Sequence, residues 1–242
     1  MQLVTLNIWG GHLLKPLLEF VSAHQEVDIF CFQEVYHNAP DMISEENRQV
    51  CLAIFSELGR LLPKHRGFFR PVVGGIYGIA VFVKNNIDVL DEGEITIHDN
   101  PSYHGRGPTH SRNLQWLKLK IDKQIYHLMN VHGLWNGMGK TDTPERILQA
   151  QRIRSFMDTL PAPKIICGDF NLRPDTKSLM MLEQGMKNLI KIFKVASTRT
   201  SAYTKNEKFA DYILTSPDII INKFSVLNDV VSDHAPLLLD FS

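Results

Sequence analysis

The stretch "IICGDFNLRPD", residues 165–175, starts as an apolar strand and stops abruptly. Ile165, Ile166 and Cys167 read as buried β-structure. Gly168 breaks the run, and Asp169 and Asn171 follow two residues apart with Phe170 between them. Turn chemistry alone accounts for Gly, Asp and Asn at a strand end. It does not account for the same kind of ending elsewhere in the chain. On an extended backbone, residues i and i+2 project to one side, so Asp169 and Asn171 are expected to face the same way, with Phe170 turned into packing.

Other apolar runs end likewise. "LVTLNIW" carries Asn7, and "VDIFCFQEV" closes on Gln33 and Glu34. "IYHLMNVHGLW" presents Asn130 and His132. Asp211 stands in "FADYILTS", and Asp233 and His234 precede "APLLLDF". "GIAVFVK", "LQWLKLKID" and "INKFSVLN" complete the apolar strands. A helical period follows the first strand, at Leu13, Leu14, Leu17, Leu18 and Val21. A second helix is expected from an N-cap at Ser44 through Leu62. A third has Thr143 as N-cap and Pro144 at its first position, where proline is favoured. A short fourth is expected near 176–185. Strands mixed with helices of these lengths suggest two packed sheets with helices outside.

The chain has 242 residues, no repeat and no low-complexity linker, and is read as one domain over 1–242. Hydrophobic residues make up 44% and charged ones 21%, ordinary for a globular protein. Lys plus Arg and Asp plus Glu are 26 each. The resulting zero net charge argues against a protein living on non-specific duplex binding, although a local basic patch stays open. No apolar run reaches the ~18 residues of a membrane span, and the N-terminus reads directly as a strand. No stable membrane insertion, a cytoplasmic location and a monomer are the expectations. Cys31, Cys51 and Cys167 sit in apolar runs without CxxC spacing, so reduced core cysteines are expected and zinc is not.

If the strand ends converge, Glu34, Asp169 and Asp233 share one recess with two carboxamides and two imidazoles. Carboxylates gathered in a partly buried site repel one another and lose hydration. A divalent cation offsets that, and hard oxygen donors without thiolate favour Mg²⁺ or Mn²⁺. With a histidine to stabilise charge and an aspartate to orient water, the set suits metal-assisted hydrolysis of a phosphoester. Each residue alone is more often turn chemistry or a structural group. Their joint occurrence carries the reading.

Taken in order, "LNIWGG", "FQEV", "NVHGLW", "GDFNLRP", "ADYIL" and "SDHAPL" resemble the motifs of the endonuclease/exonuclease/phosphatase superfamily, from Asn7 to His234. The resemblance implies a four-layer α/β sandwich of two mixed β-sheets packed face to face, with helices outside. It implies Glu34 as principal metal ligand with Asn7 beside it, and Asp233 completing the metal site. Asp169 would orient or deprotonate the attacking water, and Asn171 would hold that water or a phosphate oxygen. His132 would contact the phosphate. His234, oriented by Asp211, would stabilise its charge. Attack would be in line, with no covalent enzyme intermediate.

Around this set, Arg106 or Arg112 in "HGRGPTHSRNLQW" is expected either to grip phosphate or to serve as a solvated or ion-paired loop residue. Trp135 is a candidate for base stacking or lipid contact, or a packing residue. Arg146 is read as structural or as supporting residues that touch the substrate, and Arg173 as facing either substrate or solvent. Three functions remain open: a phosphodiesterase on nucleic acid or nucleotides, a phospholipid or inositol-phosphate hydrolase of the same fold, and a non-catalytic scaffold. The last is disfavoured because every motif position holds a chemically competent residue. "QEV" resembles the sphingomyelinase, deadenylase and phosphotyrosyl-DNA groups.

Overall fold

A computed structural model describes residues 1–39, 50–105 and 108–242; Ser44 and Arg106 lie outside the described residues. In chain order the elements are β1 (Gln2–Asn7), α1 (Leu14–Ala23), β2 (Ile29–Tyr36), α2 (Ile54–Leu61), β3 (His65–Val73) and β4 (Tyr77–Lys84). Then come β5 (Asp88–His98), β6 (Arg112–Ile121), β7 (Gln124–His132), α3 (Pro144–Thr159), β8 (Lys164–Asp169) and α4 (Lys177–Glu183). Last are β9 (Lys187–Asn188), α5 (Leu189–Ile192), β10 (Asp211–Thr215), β11 (Ile221–Val226) and β12 (Leu237–Phe241).

The strands form two six-stranded mixed sheets, ordered β11-β12-β1-β2-β4-β3 and β5-β6-β7-β8-β10-β9. Neither closes on itself. Strand alternation sorts the side chains of the first sheet. Leu3, Ile29, Cys31, Val81 and Val83 enter the cluster shared with the second sheet. Val4, Leu6, Phe30, Phe32 and Phe82 face the other way, onto Leu17, Phe20 and Val21 of α1 and Ile54 and Leu58 of α2. Each such Leu or Phe contributes about 1.5–3 kcal/mol by leaving water. α3 and α4 cover the second sheet through Ile153, Met157, Leu179 and Leu182. This is the four-layer sandwich expected. The three cysteines are free thiols. Among the described residues, no helix is long and apolar enough to cross a membrane.

Three expectations change. β3, "HRGFFRPVV", and β5, "DVLDEGEITIH", went unread as strands. Both are sheet edges, where one backbone side lacks a partner strand and charged or proline-bearing sequence is tolerated. The second helix begins at Ile54, and residues 50–53 precede it as a bend and turn. There the Cys51 amide bonds the Gly10 carbonyl at 2.8 Å, and Val50 and Leu52 pack with Ala39 and Ile76. Those apolar residues serve a small satellite core rather than a helix face.

Candidate active site

Topology explains why the polar strand ends meet. Each sheet holds one parallel pair, β1–β2 and β7–β8, flanked by antiparallel neighbours. The C-terminal ends of a parallel pair therefore share an edge with the N-terminal ends of the strands beside them. Asn7 lies opposite Gln33, His132 opposite Asp169, and Asp169 opposite Asp211. His234, just ahead of β12, bridges to Arg199.

Beneath this edge, Gln33 and Asn130 tie the sheets together. Gln33 Nε2 donates to Asn130 Oδ1 at 2.7 Å, and Asn130 Nδ2 donates to the carbonyls of Phe32 and Ala80 at 3.2 Å each. Both carboxamides are fully buried between the sheets. One step along β2, Glu34 takes φ +60° where the β2–β4 register slips in a bulge. A left-handed glutamate is strained, and bulges re-aim side chains. Here the bulge aims Glu34 at the recess it lines.

Asn7 bridges two carboxylates of different sheets. Its Nδ2 donates to Glu34 Oε1 at 2.9 Å and Asp169 Oδ2 at 3.0 Å, while its Oδ1 accepts the Trp9 amide at 3.0 Å. His132 Nε2 stands 3.8 Å from both carboxylates. Burial raises the Glu34 carboxyl despite the Asn7 bond, and Asp169 and Asp233 add to the rise. Burial pushes Asp169 the same way, but His234, Lys140, His132 and Arg199 outweigh it and hold its carboxyl well below the usual range. His132 is kept neutral by burial and by Arg112.

Asp169 and Asn171 do share one recess, but not by extended alternation. Asn171 has φ +52°, and Asp169 Oδ1 accepts the Asn171 amide at 2.9 Å, closing a side-chain turn. Asn171 Nδ2 reaches Asp169 Oδ2 at 3.3 Å and the Gly133 carbonyl at 3.2 Å. Phe170 packs against Tyr212 at 5.3 Å between ring centroids. Gly168 has φ +132°, and a Cβ there would stand 2.1 Å from the Val131 carbonyl oxygen.

On the other side, His234 Nδ1 donates to Asp211, at 2.8 and 2.9 Å from its two oxygens. Thr198 Oγ1 fixes that carboxylate, donating to Oδ2 at 3.0 Å. Burial alone would lower the His234 pKa, but Asp211 and Asp169 together turn the net shift upward. His234 Nε2 points toward Asp169 Oδ2 at 3.7 Å. Asp233 Oδ2 accepts from Arg199 Nη1 at 3.2 Å, and the Arg199 guanidinium stacks 4.0 Å over the Tyr203 ring.

Ligand atoms of Asp169, Asp211 and His234 lie within 4.8 Å of one another, a buried group able to hold a metal. A cation bound by His234 Nδ1 would have to displace the Asp211 contact. Glu34 and Asp169 instead present two carboxylates joined by a neutral amide, with His132 uncharged beside them. That excess of hard oxygen donors fits a divalent cation.

Arg112, at the start of β6, is 3% exposed. Its Nη2 donates to the Pro108 carbonyl at 3.0 Å, while Nε and Nη1 have no partner among the described residues. Trp135 lines the recess, with Lys205 Nζ 5.4 Å from its ring centroid. The recess has a volume of about 770 Å³. Arg106 lies outside the described residues. Arg173 turns to solvent and pairs with Asp175 at 3.0 Å. Arg146 is fully buried and bonded to three loop carbonyls. Sequence reasoning missed Lys140 and Arg199, which also line the recess. Both stand in loops, where no periodicity marks a side chain as inward.

The model of the Endonuclease/Exonuclease/phosphatase family matches residues 4–234. No curated protein matches by sequence. Among solved structures, a mannosyl-6-phosphatase of Bacteroides thetaiotaomicron superposes with a TM-score of 0.77 at 17% identity, covering 100% of this chain and 99% of that one. The human Nocturnin catalytic domain with bound sulfate gives 0.71 at 20% identity, covering 100% and 93%. D. rerio TDP2 complexed with single-strand DNA product gives 0.73 at 16%, covering 100% and 98%. At these identities the likeness speaks for the fold, and the family match spans nearly the whole chain: this protein belongs to the Endonuclease/Exonuclease/phosphatase family.

Proposed function

We propose that this protein is a Mg²⁺- or Mn²⁺-dependent phosphodiesterase acting on nucleic acid or nucleotides. The observation that carries the reading is the bridge of Asn7 to Glu34 and Asp169, facing the Asp211–His234 pair across one recess. Glu34, Asn7 and Asp233 would hold the cation, with Asp233 already accepting from Arg199 and Ser232. When bound, the cation supplies Lewis-acid polarisation of a phosphoryl oxygen and neutralises developing charge.

The chain's own residues do the rest. Asp169, kept ionised, takes the proton of the attacking water, and Asn171 holds that water. His234, its charged form favoured by Asp211, donates to a phosphoryl oxygen as negative charge builds there. His132, neutral, contacts a second oxygen. Arg112, with unpartnered donors, grips the phosphate. Trp135 offers a ring face to a base. Support for a nucleic-acid substrate comes from the aromatic lining of the recess, which includes Trp9, Tyr77, Tyr103 and Trp135, and from the DNA product held by D. rerio TDP2.

The test is hydrolysis, with Mg²⁺, of bis-p-nitrophenyl phosphate, single-stranded DNA, RNA, abasic duplex, sphingomyelin, inositol phosphates and mannose 6-phosphate. Turnover greatest on a nucleic-acid diester supports the proposal. Turnover confined to the lipid or to monoesters would replace its substrate class.

A further inference from the structure

Lys140 stands in the loop between β7 and α3, 2% exposed, and lines the recess beside Asp169, Asn171 and Arg199. Its Nζ meets no hydrogen-bond acceptor among the described residues. An ammonium taken from water without an acceptor is among the costlier groups a fold can bury. Burial brings it down to about 8, with Asp169, Asp211 and Asp233 acting against Arg199 to limit the fall. The nearby carboxylates thus favour its charge without bonding it.

The backbone around Lys140 is braced residue by residue. Arg146 donates from Nη2 to the Gly139 carbonyl at 2.7 Å and from Nη1 to the Thr141 carbonyl at 2.6 Å, gripping the chain on either side. Its Nε reaches the Leu134 carbonyl at 3.2 Å. The Lys140 carbonyl accepts the Arg173 amide at 2.9 Å. Asp142 accepts the amides of Lys177 and Ser178 at 2.7 and 3.0 Å, and Thr143 caps α3. A loop held this firmly fixes where its unpaired ammonium goes. The missing acceptor is then an anion that arrives with the substrate.

We propose that Lys140 is a substrate-binding residue whose Nζ donates to an oxygen of the scissile phosphate, and that Arg146 is the residue that positions it. The inference rests on the phosphoester reading of the same recess. As a compact point charge, lysine suits a phosphoryl oxygen without demanding a planar, two-toothed partner.

The test compares Lys140→Met, Lys140→Arg, Arg146→Lys and the Met/Lys double variant with the parent, in Mg²⁺. Readouts are calorimetric affinity for inorganic phosphate, kcat/KM on bis-p-nitrophenyl phosphate and the melting temperature. Lys140→Met should bind phosphate about tenfold more weakly, losing a charge-assisted bond. Its kcat/KM should fall about 100-fold. It should melt no lower than the parent, because an unpaired buried charge has gone. Lys140→Arg should recover part of the affinity. Arg146→Lys should weaken phosphate binding, and adding it to Lys140→Met should weaken binding no further.

A Met variant with parental phosphate affinity and kcat/KM, or one that merely melts lower, overturns the role of Lys140. An Arg146→Lys protein with full phosphate affinity overturns the positioning role. A parent that binds phosphate through Lys140 yet hydrolyses none of the esters refutes the hydrolase reading and leaves the anion site standing. A parent that binds no phosphate refutes the site.

Discussion

Gln33 of one sheet donates to Asn130 of the other at 2.7 Å, directly beneath the site. Gln33 Nε2 also reaches Thr5 Oγ1 and the Cys31 carbonyl, both at 3.2 Å, and both carboxamides are fully buried. A polar cross-link therefore joins the two sheets at this edge, in addition to apolar packing. Asn130→Ala should cost about 1–3 kcal/mol, since it leaves buried partners unsatisfied. Urea unfolding measures this. A variant as stable as the parent would show the cross-link to be dispensable.

Gly168 of β8 is paired with Val131 of β7. Both its φ of +132° and the 2.1 Å approach to the Val131 oxygen exclude a side chain. Gly168→Ala should destabilise the fold by about 4 kcal/mol or more, in the class of severe backbone effects. Thermal melting tests it, and wild-type stability would contradict the geometry.

Asp211 holds His234 Nδ1 and raises its pKa. The pKa of His234 is raised in the folded state, so the stability it contributes is present below its unfolded value near about 6.5 and is lost as pH rises through the folded value. Asp211→Asn should lower turnover about 10²- to 10⁴-fold. It should also move the alkaline limb of the kcat profile to lower pH. An unshifted limb at an unchanged rate would remove the orienting role.

Asp169 gives the opposite dependence. Its carboxyl is depressed on folding, so its stabilisation is present above the unfolded value near about 4 and is lost progressively as pH falls from there through the depressed folded value. Asp169→Asn should show a shallower loss of melting temperature between pH 5 and pH 2, both values about the carboxylate range. Equal slopes would mean that other carboxylates govern the acid limb.

The legible part of this molecule is its centre. β1, β2, β7 and β8 are buried on both faces and read as apolar runs, and their last polar residues read as a site because burial elsewhere in the run made them conspicuous. β3 and β5 were hidden because edge strands carry Arg66, Arg70 and Pro71, or Asp91, Glu92 and Glu94, without breaking a core. The Asp169–Asn171 spacing was right in its consequence and wrong in its cause, since a side-chain turn rather than an extended strand brings the two together. Lys140 and Arg199 gave no signal, because a loop residue is turned inward by distant partners such as Arg146, which no local pattern records.

The proposed role of Glu34 in holding a cation is directly measurable through its burial. Burial raises the Glu34 carboxyl, so its neutral-pH carboxylate costs stability until a cation binds. The decisive measurement is a Mg²⁺ titration of melting temperature and of bis-p-nitrophenyl phosphate hydrolysis, on parent and Glu34→Gln, both first stripped with EDTA. The stripped parent should be inactive, regain activity with Mg²⁺ and melt higher as it does. The Glu34→Gln protein should melt at least as high when stripped, gain nothing from Mg²⁺ and turn over about 10³-fold more slowly. Full activity of the parent in excess EDTA, or parental activity in Glu34→Gln, would contradict the proposed role of Glu34.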